Sequence, residues 1–298
     1  MDSKKLEILV TAADLGSFTK ASEVVGYTQS GLTHMMDSLE REIGITLLRR
    51  DHSGIALTEQ GQRLMPAIRE FLRANANLEN QIRDITEQRT QSIRIAAYSS
   101  IAMHWMPEIL YRFRRQCPDV NVDLRMVDNA LEPFELLDSG KTDVIFASRQ
   151  NYDNCAWTPL YEEKMYAILP RDYPLHGRET FPLEEFAGKE FLMPYGRFDI
   201  EVNAAMKQVE VKLNEKPSYV DDETVIRMVG RGLGVSMMSE LMIRGRIDDV
   251  LCVPVAPRTI RELGMGLRRG TNTPECVLKL KECVLQFLRG RKGSSGPA

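Results

Sequence analysis

Within the first 58 positions, apolar residues recur at the spacing of short helices separated by single punctuating residues. Leu6, Leu9, Val10 and Ala13 share one helical face over residues 4–13, and Gly16 follows as a stop. A second helix is predicted from about Thr19 to Val25, with Ser17 as its N-cap and Gly26 ending it. Thr28 is placed to cap a third, which would bury Leu32, Met35, Met36 and Leu39. Two short helices meeting at Gly26-Tyr27 have the local form of a helix-turn-helix. A two-stranded turn is predicted over Leu48–Leu57, with Ser53-Gly54 at its tip, as a wing beside the third helix.

From Glu59 to Gln88 the pattern becomes one long helix. Leu64, Ile68, Phe71, Asn75, Leu78, Ile82 and Ile85 follow alternating spacings of four and three, a heptad seam. A helix packed only on its own domain would serve, but several sustained heptads favour a dimerising one. Asn75 occupies an inner seam position, where an amide can fix register and partner number, and Pro66 is placed to bend the helix.

After Arg89 strands and helices alternate. Strands are predicted at Ser92–Ala97, Val120–Val127, Asp143–Ala147, Lys164–Leu169, Glu190–Met193, Val235–Met238 and Leu263–Leu267. Helices are predicted over Met103–Gln116, Glu132–Asp138 and Pro274–Arg289. Such alternation implies mainly parallel sheets covered on both faces. The terminal GSSGPA has no apolar residue to anchor it and is expected to be disordered.

Composition narrows the class. At 298 residues, 43% hydrophobic and 27% charged, the chain suits a soluble globular protein of two folded units. No apolar run approaches the roughly 18 residues of a membrane span. The sequence MDSKKLEILV lacks a secretory pattern, so a cytoplasmic location is expected. Cys117, Cys155, Cys252, Cys276 and Cys283 are odd in number and scattered, which fits neither a disulfide framework nor a zinc spacing. Net charge is −3, and residues 1–58 carry six Lys and Arg against eight Asp and Glu. Any affinity for nucleic acid must therefore rest on where positive charges sit.

The third helix offers the main candidate chemistry. Gln29, Ser30, Thr33 and His34 lie opposite Leu32, Met35 and Leu39. Glutamine can make two hydrogen bonds to an adenine edge, and serine and threonine reach bases or phosphates. Lys20, Arg49 and Arg50, with His52 beside them, could hold phosphates. An ordinary solvated helix face, with unremarkable surface arginines, fits the same residues. Tyr98-Ser99-Ser100 follow a strand and open a helix, where hydroxyls and free N–H groups suit an anion or simply cap the helix.

Enzyme signatures fail on context. Gly230–Gly234 precedes a strand instead of following one, as no phosphate loop does. There is no G-x-S-x-G elbow, no metal-ligand spacing, and no constellation among His34, His52, His104 and His176. Neither catalysis nor a cofactor is expected.

These residues resemble the LysR-type transcriptional regulators. The likeness is strongest in G-S-F-T-K-A-S at 16–22, T-Q-S-G-L-T at 28–33, L-E-R-E-I-G at 39–44, L-L-R-R at 47–50 and L-T-E-Q-G at 57–61. A looser match continues through Ser99-Ser100, Trp105-Met106-Pro107, the Gly140–Asp143 turn and GRGLGVSMM ending at Met238.

The resemblance implies α+β and α/β architecture: a winged helix-turn-helix over 1–58, a dimerising linker helix over 59–88, and a two-lobed effector domain over 89–298 like a periplasmic binding protein. Lobe I would span about 92–161 with 267–290, and lobe II about 162–266, joined by two crossing strands. DNA contacts would fall on Ser17, Lys20, Thr28, Gln29, Ser30, Thr33, His34, Arg49 and Arg50. An effector would lie near Ser99, Ser100, Asp128 and Ser148, facing Tyr195 and Phe198. Members of the family assemble as homodimers and homotetramers on an interrupted dyad of double-stranded DNA.

Three departures matter. His34 stands where arginine is common, making that contact open to pH; Gly31 replaces alanine; Leu48 replaces phenylalanine. Peroxide-sensing members use a cysteine pair in the second lobe, and this chain has no cysteine between Cys155 and Cys252. Arg125, Arg149 and Arg197 lean toward an organic anion as effector, while Tyr98, Trp105, Phe146 and Tyr195 leave an aromatic compound open. The opposing class is a binding or catalytic α/β protein whose N-terminal helices serve only to dimerise it.

Overall fold

The computed structural model describes residues 2–51, 54–86, 92–194, 199–217, 220–245, 249–270 and 273–292. His52, Ser53, Tyr195, Arg197, Phe198 and the terminal GSSGPA lie outside the described residues. The chain divides into two compact units, one from residues 1–89, with which 138–141 are grouped, and one from the remainder.

In the first unit, three capped helices enclose a small core. Helix α1 spans Ser3–Leu15, α2 Phe18–Val25 and α3 Gln29–Ile43. Each N-cap side chain accepts a backbone N–H that the helix leaves unpaired: Asp2 from Lys4, Ser17 from Lys20 and Thr28 from Gly31. Gly16, Gly26 and Gly44 end the three helices in the left-handed conformation. Leu6, Leu9, Ala12, Phe18, Leu32, Met36 and Leu39 are buried together, whereas Met35 is only partly covered. Strands β1 (Leu48–Asp51) and β2 (Gly54–Leu57) pair antiparallel as the wing. The Glu40 carboxylate on α3 accepts the backbone N–H groups of Leu47 (2.6 Å) and Leu48 (2.9 Å), tying the wing to that helix.

Helix α4 runs from Glu59 to Thr86 with Pro66 inside it. Its first turns join the core through Met65 and Ile68, with Leu64 and Leu72 packed alongside. Farther along, Phe71, Leu78 and Ile82 are 40%, 55% and 50% exposed. Asn75 donates to Glu79 on its own helix at 2.9 Å.

The second unit is built on a sheet of order β4-β3-β5-β12-β6-β11-β7, with β10 also on β6. Strands β3 (Ser92–Tyr98), β4 (Asn121–Val127) and β5 (Val144–Ser148) are parallel. Helices α5 (Ser99–His104), α6 (Met106–Gln116) and α7 (Glu132–Asp138) connect them. The helix expected over Met103–Gln116 is thus two helices meeting at Trp105, with Pro107 in the first turn of the second.

Strand β6 is 16 residues long, Cys155–Pro170. Its first part pairs antiparallel with β12 (Ile260–Arg268), and its later part with β10 (Ser236–Ser239) and β11 (Val250–Ala256). Strand β12 is also antiparallel to β5. The sheet is therefore mixed, not mainly parallel, because element order fixes neither a strand's partner nor its direction.

These two long strands run between separate cores. Ile95, Trp105, Phe146 and Met265 lie in one, with Leu280 from α11 (Glu275–Lys292). Phe186, Phe191, Met206 and Val253 lie in the other, and Ile168, Val225 and Val229 in a third cluster. Strand β7 (Phe181–Pro182), strands β8 (Glu190–Met193) and β9 (Asn214–Pro217), and helices α8 (Ile200–Gln208), α9 (Asp222–Gly230) and α10 (Glu240–Ile243) complete this side.

Two charges are buried on the crossing strands. Arg261 on β12 is 4% exposed and Glu163 on β6 is 0% exposed, and they form an ion pair. The second Glu163 oxygen accepts the Leu241 N–H at 3.1 Å, and Arg261 reaches the Ser100 hydroxyl at 3.3 Å.

Two stability predictions follow from this packing. Gly61→Ala would ordinarily gain about 0.5–1 kcal/mol in a helix. Here a Cβ would meet the Leu47 carbonyl oxygen and, at 3.2 Å, the Leu57 side chain. Overpacking costs about 1–3 kcal/mol, so a net loss of about 1 kcal/mol is expected in thermal unfolding; any gain would refute the close approach. Glu163→Gln leaves Arg261 without its nearest counter-charge, a class of change costing about 3–5 kcal/mol. Denaturant titration is expected to show a loss near the lower bound, since Asp199 and Glu201 also act on Arg261; an unchanged midpoint would remove the ion pair from the account.

Candidate functional site

The outer face of α3 is polar and open. Gln29, Ser30 and His34 are exposed and Thr33 is half-buried, on the side opposite Leu32, Met36 and Leu39. Thr28 is exposed, and its hydroxyl contacts both the Gly31 N–H (3.1 Å) and the Ser30 hydroxyl (3.2 Å). A Cβ on Gly31 would sit 3.1 Å from that hydroxyl, so alanine there would press on the cap. Ser17 caps α2 with its Oγ 3.4 Å from the Lys20 nitrogen, and Lys20 itself is exposed. Arg49 is exposed on β1, paired through its backbone with Ala56; Arg50 pairs with Ile55, and its side chain lies outside the described residues.

A cavity in the second unit gathers residues from both ends of the crossing strands. Tyr98, Ser99, Ser100, Asp128 and Ala130 line one side, and Pro194, Asp199, Glu201, Asp222 and Met242 the other, with Arg261 between them. Of the residues expected there, Ser99, Ser100 and Asp128 face the cavity. Ser148 is not among its lining; it lies 3.3 Å from the Tyr98 hydroxyl and accepts from Gln150 at 3.1 Å. Tyr195 and Phe198 fall outside the described residues.

Capping by Ser99 or Ser100 does not occur. Tyr98 is the N-cap of the short α5 and makes no side-chain cap bond, while Ser100 is buried against Arg261. Arg125 and Arg149 are ion-paired with Glu132 and Glu262 and do not line the cavity.

Electrostatically the cavity is acidic. Burial by itself pulls the Arg261 guanidinium down, but Glu163, then Glu201 and Asp199, outweigh it and hold it above its ordinary value. Asp199 caps α8 by accepting the Val202 N–H at 2.9 Å. Burial first, and the like charge of Glu201 second, push its carboxyl up to about 6. Burial also raises the Tyr98 hydroxyl, which donates to the Ala130 carbonyl at 2.9 Å and stays protonated at neutral pH.

Sequence reasoning missed Glu40, Glu163, Asp199, Glu201, Asp222 and Arg261. For two of them a signal existed. Glu163 shares a strand face with Met165 and Ala167, and Arg261 with Leu263 and Met265, so period-two reading directs both charges inward. Among the described residues, no group of three or more His, Cys, Asp or Glu is placed to hold a metal ion, and no helix is long and apolar enough to cross a membrane.

Residues 3–62 match the family model of the bacterial regulatory helix-turn-helix protein of the lysR family, and 86–289 match the LysR substrate binding domain. The DNA-binding transcriptional dual regulator OxyR of Escherichia coli K12 is 25% identical over 296 residues, covering 97% of each chain. Full-length BenM shares 20% identity with full coverage of both chains and a TM-score of 0.59. Full-length CbnR, solved in complex with its target DNA, shares 19% identity, covers 96% of this chain and all of its own, and gives a TM-score of 0.55. The matched domains are those of transcriptional regulators and not of enzymes. An N-terminal helix-turn-helix and a C-terminal substrate-binding domain in one chain make this protein a member of the LysR family of DNA-binding transcriptional regulators.

Proposed function

We propose that this regulator reads an interrupted dyad in double-stranded DNA through α3 and the wing, and that a small molecule bound in the cavity of the second unit controls it. The observation that carries the DNA reading is the open polar face of α3, with Gln29, Ser30 and His34 exposed on a helix fixed at both ends. Gln29 and Thr33 would read base edges, Ser30 and Thr28 would bond phosphate or base, and Ser17, Lys20, His34, Arg49 and Arg50 would hold the backbone. CbnR, a relative by fold, was solved with its target DNA, which supports the same use of this architecture.

The effector reading rests on the cavity against Arg261, between strands shared by two hydrophobic cores. A ligand touching both walls changes the equilibrium between their arrangements by its differential affinity. Phe71, Leu78 and Ile82, exposed along α4, supply the apolar surface for a homodimer and, from there, a homotetramer in the cytoplasm. A relative from Escherichia coli O6:H1, 25% identical over 296 residues, is named a hydrogen peroxide-inducible genes activator, but thiol sensing is not carried over. Burial pushes Cys155 and Cys252 up to about 11, far from the thiolate that would attack peroxide.

Gln29→Ala with Thr33→Ala is expected to lower specific operator affinity at least tenfold in a mobility-shift titration, at about 1–3 kcal/mol per lost base contact. Wild-type circular dichroism would confirm folding, and unchanged specific retardation would sink the assignment of α3. For the cavity, a thermal-shift screen of amino acids, amines and organic acids on the full-length protein is expected to find a saturable ligand. Its dissociation constant should rise about tenfold in Ser99→Ala with Ser100→Ala, the scale of one or two lost hydrogen bonds. A ligand held equally well by the double variant would place the site elsewhere.

A further inference from the structure

We infer that the cleft selects a positively charged ligand, an aliphatic amine, in place of the organic anion that its helix-terminus serines suggest. The inference rests on the effector reading above for the existence of the site and concerns only the chemistry of its guest. The site stands on the cavity and the substrate-binding-domain match; the carboxylates set its charge.

Asp128, Asp199, Glu201 and Asp222 line the cavity, and Asp222 is 4% exposed. Among the described lining residues the one cation is Arg261. Its guanidinium is already engaged by the buried Glu163 behind the wall and by the Ser100 hydroxyl. Its positive charge is thereby offset before any carboxylate arrives, and Glu201 and Asp199 act on it as well.

The helix termini lead to the same charge. The first residues of α8 and α9 reach the cavity, and a helix N-terminus ordinarily attracts an anion. Here the protein supplies the anions itself: Asp199 and Glu201 at one terminus, Asp222 at the other. Asp199 also takes up the Val202 N–H that a ligand would otherwise use. An anion would enter a cavity lined by four carboxylates, whereas an ammonium group would offset the repulsion between Asp199 and Glu201.

The remaining wall fixes the body of the ligand. Val127, Ala130, Pro194, Ile200 and Met242 give an apolar lining suited to a short aliphatic chain.

Thermal unfolding of the full-length protein with butylamine and putrescine, set against butyrate and succinate, tests the assignment. One or both amines should raise the midpoint saturably, and the acids should not. Glu201→Gln with Asp128→Asn should then shift the half-saturating amine concentration upward at least tenfold. Neither residue caps a helix, so this variant is expected to fold. A saturable response to the acids alone, lost in the Ser99 and Ser100 double variant, would overturn the charge assignment and leave the effector cleft standing. An amine response undiminished by Glu201→Gln with Asp128→Asn would overturn it by placing the amine elsewhere. No response to either amine, where another compound binds and depends on Ser99 and Ser100, would also overturn it. If no compound depends on those serines or on Glu201 and Asp128, the cleft reading itself fails.

Discussion

The second unit depends on one buried ion pair. Glu163 and Arg261 sit on the two strands that run between its hydrophobic cores, where neither charge has water to solvate it. Removing two ions from water costs several kcal/mol each, and the pair is tolerable because further hydrogen bonds add to its own attraction. One Glu163 oxygen takes the Leu241 N–H at the start of α10, and Arg261 reaches Ser100 at the start of α5. The guanidinium also lies over the Tyr98 ring, 5.8 Å from its centroid. A single charged contact thus ties β6, β12, α5 and α10 at the point where the cavity opens. Backbone pairing sets the register of β6 on β12, and the ion pair links those two strands to α5 and α10.

The DNA-binding unit solves a different problem with local means. Its core is small, and its sequence is slightly acidic, so neither large burial nor bulk charge can fix the presentation of α3. Caps do much of the work: Thr28 at one end and the left-handed Gly44 at the other define where the helix starts and stops. Glu40 then carries that definition outward to the wing through two short hydrogen bonds to Leu47 and Leu48. A carboxylate that binds two backbone donors is worth more as a brace than as a surface charge. Its presence also accounts for part of the acidity that weakens a charge-counting argument. On the proposed reading the protein accepts a repulsive residue near phosphate because that residue aims the arginines beside it.

What the sequence made legible follows from the range of the forces involved. The helices of the first unit could be read because caps and i, i+4 patterning are local, and Ser17, Thr28, Gly26 and Gly44 occupy the positions their chemistry demands. Strand β6 was visible only as Lys164–Leu169, since Pro159 and the run Glu162-Glu163-Lys164 interrupt the apolar alternation. Strand β11 went unread for a similar reason, with Pro254 inside it. The mixed sheet was out of reach because strand direction is set by partners about 100 residues apart in the chain, as with Glu163 and Arg261. At the cavity, Ser99 and Ser100 were accessible through the strand-end rule, and Asp128 through the family resemblance. Asp199, Glu201 and Asp222 looked like ordinary helix-start acids, and only the fold brings them to one wall.

That convergence has an energetic consequence for regulation. The folded state holds the Asp199 proton more tightly than the ordinary carboxyl value of 3.8, with its own value near 6. Its contribution to stability is therefore greatest at low pH and is lost as pH rises through about 6, so at neutral pH the acidic wall is a standing cost. The cost arises from burial first and then from Glu201, a neighbour at the start of the same helix. Any guest that supplies positive charge there removes a penalty in addition to forming new contacts. A ligand shifts a conformational equilibrium only by its differential affinity for the two arrangements. On the proposed reading, a carboxylate buried more deeply in one arrangement and neutralised there by the ligand supplies such a difference. On that reading, the unfavourable charge of the cleft is the element that makes binding consequential for the rest of the second unit.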